Sequence, residues 1–167
     1  SMATEGAMMD WSGVYFKEIV LAPVKWIILG YASYSAMMTI GRFIGDKFIA
    51  SYGRKTMLQI CGVVISTGMF LSVAFPNLVV ATIGFMMVGI GVSVIIPMTY
   101  TIAGNNDKIP SSLAIAMVSS IGYFGFLMGP PLIGYISELF SLRYSFAVVG
   151  CFGILISLLV RKISAIR

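Results

Sequence analysis

The sequence predicts an all-α membrane protein: a transmembrane bundle of five full spans plus the end of a sixth. Three observations predict it. The 167 residues are 59% apolar and only 10% charged, the mean hydropathy is +0.99, and uncharged stretches of spanning length alternate with short charged segments. A soluble domain is about one quarter charged, whereas a helix that crosses hydrocarbon needs about 20 mostly apolar residues.

Residues 1–16 combine apolar, aromatic and small residues with Glu5 and Asp10. They are too short and too polar for a complete crossing but suit the second half of one, whose first half would lie upstream of Ser1. Trp11 and Tyr15, one helical turn apart, suit an aromatic belt. The first full span is predicted over about 25–48, because nothing between Lys25 and Arg42 is charged and apolar residues continue through Phe43, Ile44, Phe48 and Ile49. From Thr56 to Asn106 run 51 uncharged residues, too many for one crossing. Phe75-Pro76-Asn77-Leu78 divides them with a helix-stopping turn, giving spans over about 55–75 and 78–102. Gly104 to Pro110 reads as a loop, and Ser111 and Ser112 as helix-start residues for a fourth span over about 111–135. Glu138 to Arg143 is a short connection before the last span, about 144–160.

Orientation follows from the bases. Arg42, Lys47, Arg54, Lys55, Lys108, Arg161, Lys162 and Arg167 fall on one side; Lys17, Lys25 and Arg143 fall on the other. Eight against three predicts the first side, with the C-terminus, to be cytoplasmic. The net charge of +5 is thus explained by topology, and nucleic acid is not among the expected partners. Histidine is absent, which removes the commonest general base and zinc ligand. No cofactor or metal is expected. Cys61 and Cys151 lie inside apolar runs and read as small buried or lipid-facing side chains. The N-terminus has neither the basic start nor the apolar core of a cleavable signal, so further sequence is expected upstream.

The spans differ in polarity. The last is almost wholly aliphatic and aromatic and the second has only scattered Ser, Thr and Gln, so both read as outer, lipid-facing helices. The first carries Tyr31, Tyr34, Ser35 and Met38 at helical spacing, the third Ser93, Pro97 and Thr101 four apart, and the fourth Ser119, Ser120 and Tyr123. Such stripes suit a water-filled cavity; hydrogen bonding between helices is the alternative. Gly41 with Gly45, and Gly125 with Gly129, place small faces where helices can approach. Gly129-Pro130-Pro131 must bend the fourth span and requires neighbours for the carbonyls it frees.

The most informative stretch is Gly41-Arg42-Phe43-Ile44-Gly45-Asp46-Lys47 followed by Tyr52-Gly53-Arg54-Lys55. Acid and bases at a helix junction can latch one arrangement of a bundle and release another. This order resembles the cytoplasmic signature loop of the major facilitator superfamily, which joins the second and third helices of each six-helix half. From Asp46 to Gly53 is seven residues, about one helical turn more than the common form, so Asp46 is expected to sit one turn deeper. Glu5 to Ser12 resembles the seventh helix of a sugar-permease-like bacterial branch, and Gly125 to Gly134 its eleventh. The resemblance covers essentially the whole chain as a C-terminal half.

It implies a secondary active transporter in the bacterial inner membrane that moves a small solute, a sugar or related metabolite, by alternating access and proton symport. The partners implied are the lipid bilayer, the N-terminal six-helix half and the solute. Glu5 and Asp10 would couple protons, because burial raises a carboxylate's proton affinity. Trp11, Tyr34, Ser93, Thr101 and Tyr123 would contact solute, while Arg42, Asp46, Arg54 and Lys55 would form the cytoplasmic gate. Two rivals are an intramembrane aspartyl protease using Asp10 and Asp46, disfavoured by Phe43 and Lys47 beside the second acid, and a self-sufficient small channel or assembly subunit.

Overall fold

In the computed structural model, which describes residues 1–105 and 109–162, the chain folds into seven α-helices. They are α1 (Met2–Glu18), α2 (Leu29–Tyr52), α3 (Arg54–Ala74), α4 (Leu78–Ser93), α5 (Ile95–Gly104), α6 (Ser111–Leu139) and α7 (Leu142–Lys162). Lys108 and Arg167, both counted toward the basic face, lie outside the described residues. Five stretches are long and apolar enough to cross a membrane: Val24–Tyr52, Arg54–Ala74, Leu78–Gly104, Ser111–Leu139 and Leu142–Lys162. The chain is an all-α bundle built for a bilayer.

Where helix ends differ from the hydropathy boundaries, a local cause is visible. α2 runs on to Tyr52 and stops at Gly53, whose φ of 77° is a conformation glycine adopts without a side-chain clash. The charged stretch from Arg42 to Lys47 is therefore inside the helix. The third crossing is broken between α4 and α5 at Val94. Pro97 has no N–H to give to the Ser93 carbonyl four residues back, and its ring crowds that oxygen. By contrast α6 passes through Pro130 and Pro131 without interruption. The carbonyl of Phe126, which Pro130 leaves without its usual donor, faces Gly6 of α1 so closely that a Cβ there would lie 2.5 Å from it. Glycine lets the neighbouring backbone come near enough for a Cα–H to meet the oxygen.

The helices close into a ring in the order α1, α2, α4, α3, α7, α6, with α5 against α6. Lipid is as apolar as leucine, so close contact and hydrogen bonds hold these helices together more than any hydrophobic drive. Glycine sets the closest approaches. Gly89 of α4 abuts the Tyr34 carbonyl of α2, Gly62 of α3 abuts Gly153 and Ser157 of α7, and Gly41 and Gly45 abut Ser93 and Val94. At the ring's centre Tyr15 stands 4.5 Å from Phe146 and 5.6 Å from Phe85, centroid to centroid.

The end of α3 accounts for every one of its last four carbonyls, the groups a helix leaves without internal donors. Leu71 accepts from the Phe75 N–H at 3.1 Å. Ser72 accepts from the Tyr15 hydroxyl at 2.9 Å. Val73 and Ala74 accept from Nε and Nη2 of Arg143 at 2.6 and 3.1 Å. Asn77 then starts α4, its Oδ1 accepting from the Val80 N–H at 2.9 Å, the arrangement of a good N-cap. Two helices, α1 and α7, are thus tied to the end of α3.

Two outcomes follow from this packing. Gly89→Ala drives a methyl into the Tyr34 backbone and is expected to destabilise the bundle by about 1–3 kcal/mol, measured by denaturant unfolding in detergent against Val79→Ala as an exposed control. Arg143→Gln leaves two carbonyls without a charged donor and is expected to cost about 1–3 kcal/mol in the same assay.

Candidate functional site

α1 and α2 run antiparallel with Gly30 against Ser12 and Phe16, so each step down one helix is a step up the other. That register sets Tyr34 near the level of Met8, and Glu5 between the levels of Tyr34 and Arg42. Tyr34 is fully buried and its hydroxyl has no hydrogen-bond partner. The hydroxyls of Thr4 and Ser12, also fully buried on α1, are unpartnered as well. Glu5, Tyr31 and Arg42 all lie within electrostatic range of the Tyr34 hydroxyl. Glu5 is half-buried, and Arg42 is exposed with Nη2 donating to Met38 Sδ at 3.6 Å. A thioether is a weak acceptor, so the guanidinium keeps most of its capacity for a carboxylate. A buried polar group without a partner costs about 1–3 kcal/mol, which makes this interface an unusual place to find three.

Arg42 was grouped by its sequence neighbours with the cytoplasmic gate. In the fold it lies ten residues before the end of α2, about 15 Å from it along the axis. Along the axis it lies about two turns beyond Tyr34. Asp46 is exposed on the same helix and has no hydrogen-bond or ion-pair partner among the described residues. Arg54 and Lys55 open α3 and are half-buried. The described arrangement therefore does not join Asp46 to Arg42 or to Arg54.

A recess of about 540 Å³ separates α1 from α6, lined by Asp10, Trp11, Val14, Phe126, Pro130 and Gly134 among others. Asp10 is exposed there. Trp11 is half-buried and gives its indole N–H to the Pro130 carbonyl at 3.0 Å, so the ring is fixed against the proline segment with its face on the recess. Tyr123, further along α6, is 60% exposed and stands on the least buried of the five spans.

The expected stripe of Ser93, Pro97 and Thr101 is divided by the helix break. Ser93 is buried against Gly41 and donates to its own helix at the Ile90 carbonyl, 2.6 Å. Pro97 and Thr101 are exposed, and Thr101 donates to the Pro97 carbonyl at 3.0 Å. Thr39, Thr99 and Ser120 also bond back to their own helices, a habit of hydroxyls in helices that hides them from neighbours. Among the hydroxyls that do cross between helices are two buried serines: Ser66 of α3 reaches the Gly150 carbonyl at 2.8 Å and Ser145 of α7 the Ile133 carbonyl at 3.0 Å. Sequence reasoning missed both, and missed Tyr15 and Arg143 as clasps of α3. Only the position of Arg143 just past a connection hinted at it.

The deciding measurement here is Tyr34→Phe. Removing an unpartnered buried hydroxyl is expected to leave unfolding unchanged or to raise the midpoint, whereas a hydrogen-bonded hydroxyl would cost about 1 kcal/mol.

Comparison with known proteins adds a family. The family model described as Major Facilitator Superfamily matches residues 14–165. An uncharacterised MFS-type transporter of Yersinia pestis is 36% identical over 152 residues, covering 91% of this chain and 39% of that protein. The membrane protein MosC of Rhizobium meliloti is 28% identical over 157 residues, with 94% and 39% covered. An uncharacterised transporter of Sinorhizobium fredii is 31% identical over 155 residues, with 93% and 41% covered. The chain spans about two fifths of the length of these relatives.

Proposed function

The chain belongs to the major facilitator superfamily, and from that premise we propose that it forms the C-terminal six-helix half of a secondary active transporter, moving a small solute by alternating access. The observation that carries the reading is how unevenly polarity is distributed round the ring. Glu5 and Asp10 on α1, Arg42 on α2, Thr101 on α5 and Tyr123 on α6 occupy one set of helices. On α3 and α7 the bases stand only near the helix ends, and Ser66, Ser72 and Ser145 are turned inward onto carbonyls. Ionisable groups at membrane depth are costly and mark ion and solute paths.

In this reading the N-terminal half packs against the open faces of α2 and α6, and the solute, a sugar or related metabolite, lies near the bilayer midplane between the halves. Trp11, Thr101 and Tyr123 contact it directly. Tyr34 acts from within the bundle through Glu5 and Arg42, and Ser93 acts by holding α2 against α4. Glu5 is the principal proton site, with Arg42 as its counter-ion when the two approach. Asp10 in the α1–α6 recess is the second. Asp46, Arg54 and Lys55 form the gate on the cytoplasmic face, where the C-terminus also lies, and the bacterial relatives support an inner-membrane location.

Proton-driven uptake by the full-length protein in vesicles tests the proposal. Glu5→Gln is expected to lower proton-coupled uptake by about 100-fold or more, in line with the loss of an acid-base group, while solute exchange without a proton gradient persists. Asp10→Asn is expected to have a smaller effect. Coupling unchanged in both variants removes the acids from the mechanism, and absence of solute movement under any gradient removes transport itself.

A further inference from the structure

α3 and α7 stand apart from the proposed solute path, yet between them lies a groove of about 480 Å³ that no step of transport uses, lined by Thr56, Gln59, Ile60, Val63, Leu158 and Arg161 among others. The two helices touch behind it: a Cβ on Gly62 would lie 2.6 Å from the Gly153 carbonyl and 2.9 Å from the Ser157 nitrogen. Along the groove the lining is sorted by depth. Ile60, Val63 and Leu158 are 40, 51 and 54% exposed on the stretch that meets hydrocarbon. Thr56, Gln59 and Arg161 follow at the basic end, with Arg54 and Lys162 beside them.

Two further features of that end favour an anion. α3 has no side chain capping its first turn, and its first backbone N–H engaged with the preceding turn is that of Met57, bonded to the Gly53 carbonyl at 3.1 Å. The positive end of the α3 dipole and the start of the helix at Thr56 therefore favour negative charge there. Among the described residues no acid lines the groove. A ligand that fits must carry a negative head at the membrane edge and an apolar tail reaching toward midplane. Molecules with both, at that depth, are the anionic phospholipids of the bilayer itself.

We propose that this groove is a binding site for one anionic phospholipid. Its phosphate meets Arg161 and the start of α3 with Thr56, and an acyl chain lies along Ile60, Val63 and Leu158. The lipid would fill the seam between the two outer helices at the basic face, where they are not sealed by glycine. Basic pockets between transmembrane helices recognise such headgroups by charge, and a zwitterionic headgroup gains much less from Arg161. The inference is independent of what the protein transports.

Photocrosslinking in vesicles of equal phosphatidylglycerol and phosphatidylcholine tests it, with a benzophenone amino acid in place of Ile60 in the full-length protein and adducts resolved by mass. Phosphatidylglycerol adducts are expected to exceed phosphatidylcholine adducts by about five-fold, the effect of one basic residue at an anionic surface. The ratio is expected to fall toward one in Arg161→Gln and, in the parent, as salt is raised, so the outcome does not depend on one variant folding. A probe in place of Val79, 66% exposed at the other end of the bundle, is expected to show no preference. Equal adducts at position 60, a preference that survives both Arg161→Gln and salt, or the same preference at position 79 would each overturn the proposal.

Discussion

A carbonyl at membrane depth has no water to turn to, and the rest of this bundle is arranged around that constraint. It extends to the membrane edge at the end of α3, where Tyr15 from α1 and Arg143 from α7 supply the donors the helix itself lacks. Those bonds bring α1, α3 and α7 to one point, and the tilted rings of Tyr15, Phe85 and Phe146 pack directly beneath it. The clasp fixes the end of the bundle opposite the basic face. The other end, where α2 turns at Gly53 into α3, is joined by a single glycine hinge.

Proline and glycine do related work within the spans. Pro97 breaks one crossing, and the serine placed at the break turns its hydroxyl onto its own helix while α2 presses Gly41 against it. Pro130 frees the Phe126 carbonyl that Gly6 covers, and Trp11 donates to the carbonyl of Pro130 itself. In each case a residue too small to obstruct stands opposite a backbone that needs company. Such contacts are local, but they decide which helix lies beside which.

With the inner faces committed to backbone contacts, the groups left over become the functional candidates. Glu5 lies between the levels of Tyr34 and Arg42 on the neighbouring helix, and the three make no hydrogen bond to one another. An interface that keeps polar groups unpaired in one state is suited to pairing them in another, since the cost of the first state is recovered in the second. The basic edge of α3 and α7 is similarly unfinished, but it opens to lipid.

Sequence by itself determined the number of crossings and their approximate limits, because hydrocarbon thickness imposes a length that hydropathy reports directly. It also marked the turn at Pro76 and Asn77 and the small faces at Gly41 and Gly129, whose roles depend on backbone chemistry close to each residue. It could not bring Arg42 within electrostatic range of the Tyr34 hydroxyl, which depends on how the helices pack. Nor could it separate Ser93 from Thr101 or find the clasp of Arg143 on α3, residues 69 and 70 positions apart. Those depend on which helices adjoin and on which hydroxyls satisfy themselves along their own helix, and neighbours distant in the chain are settled only when the bundle closes.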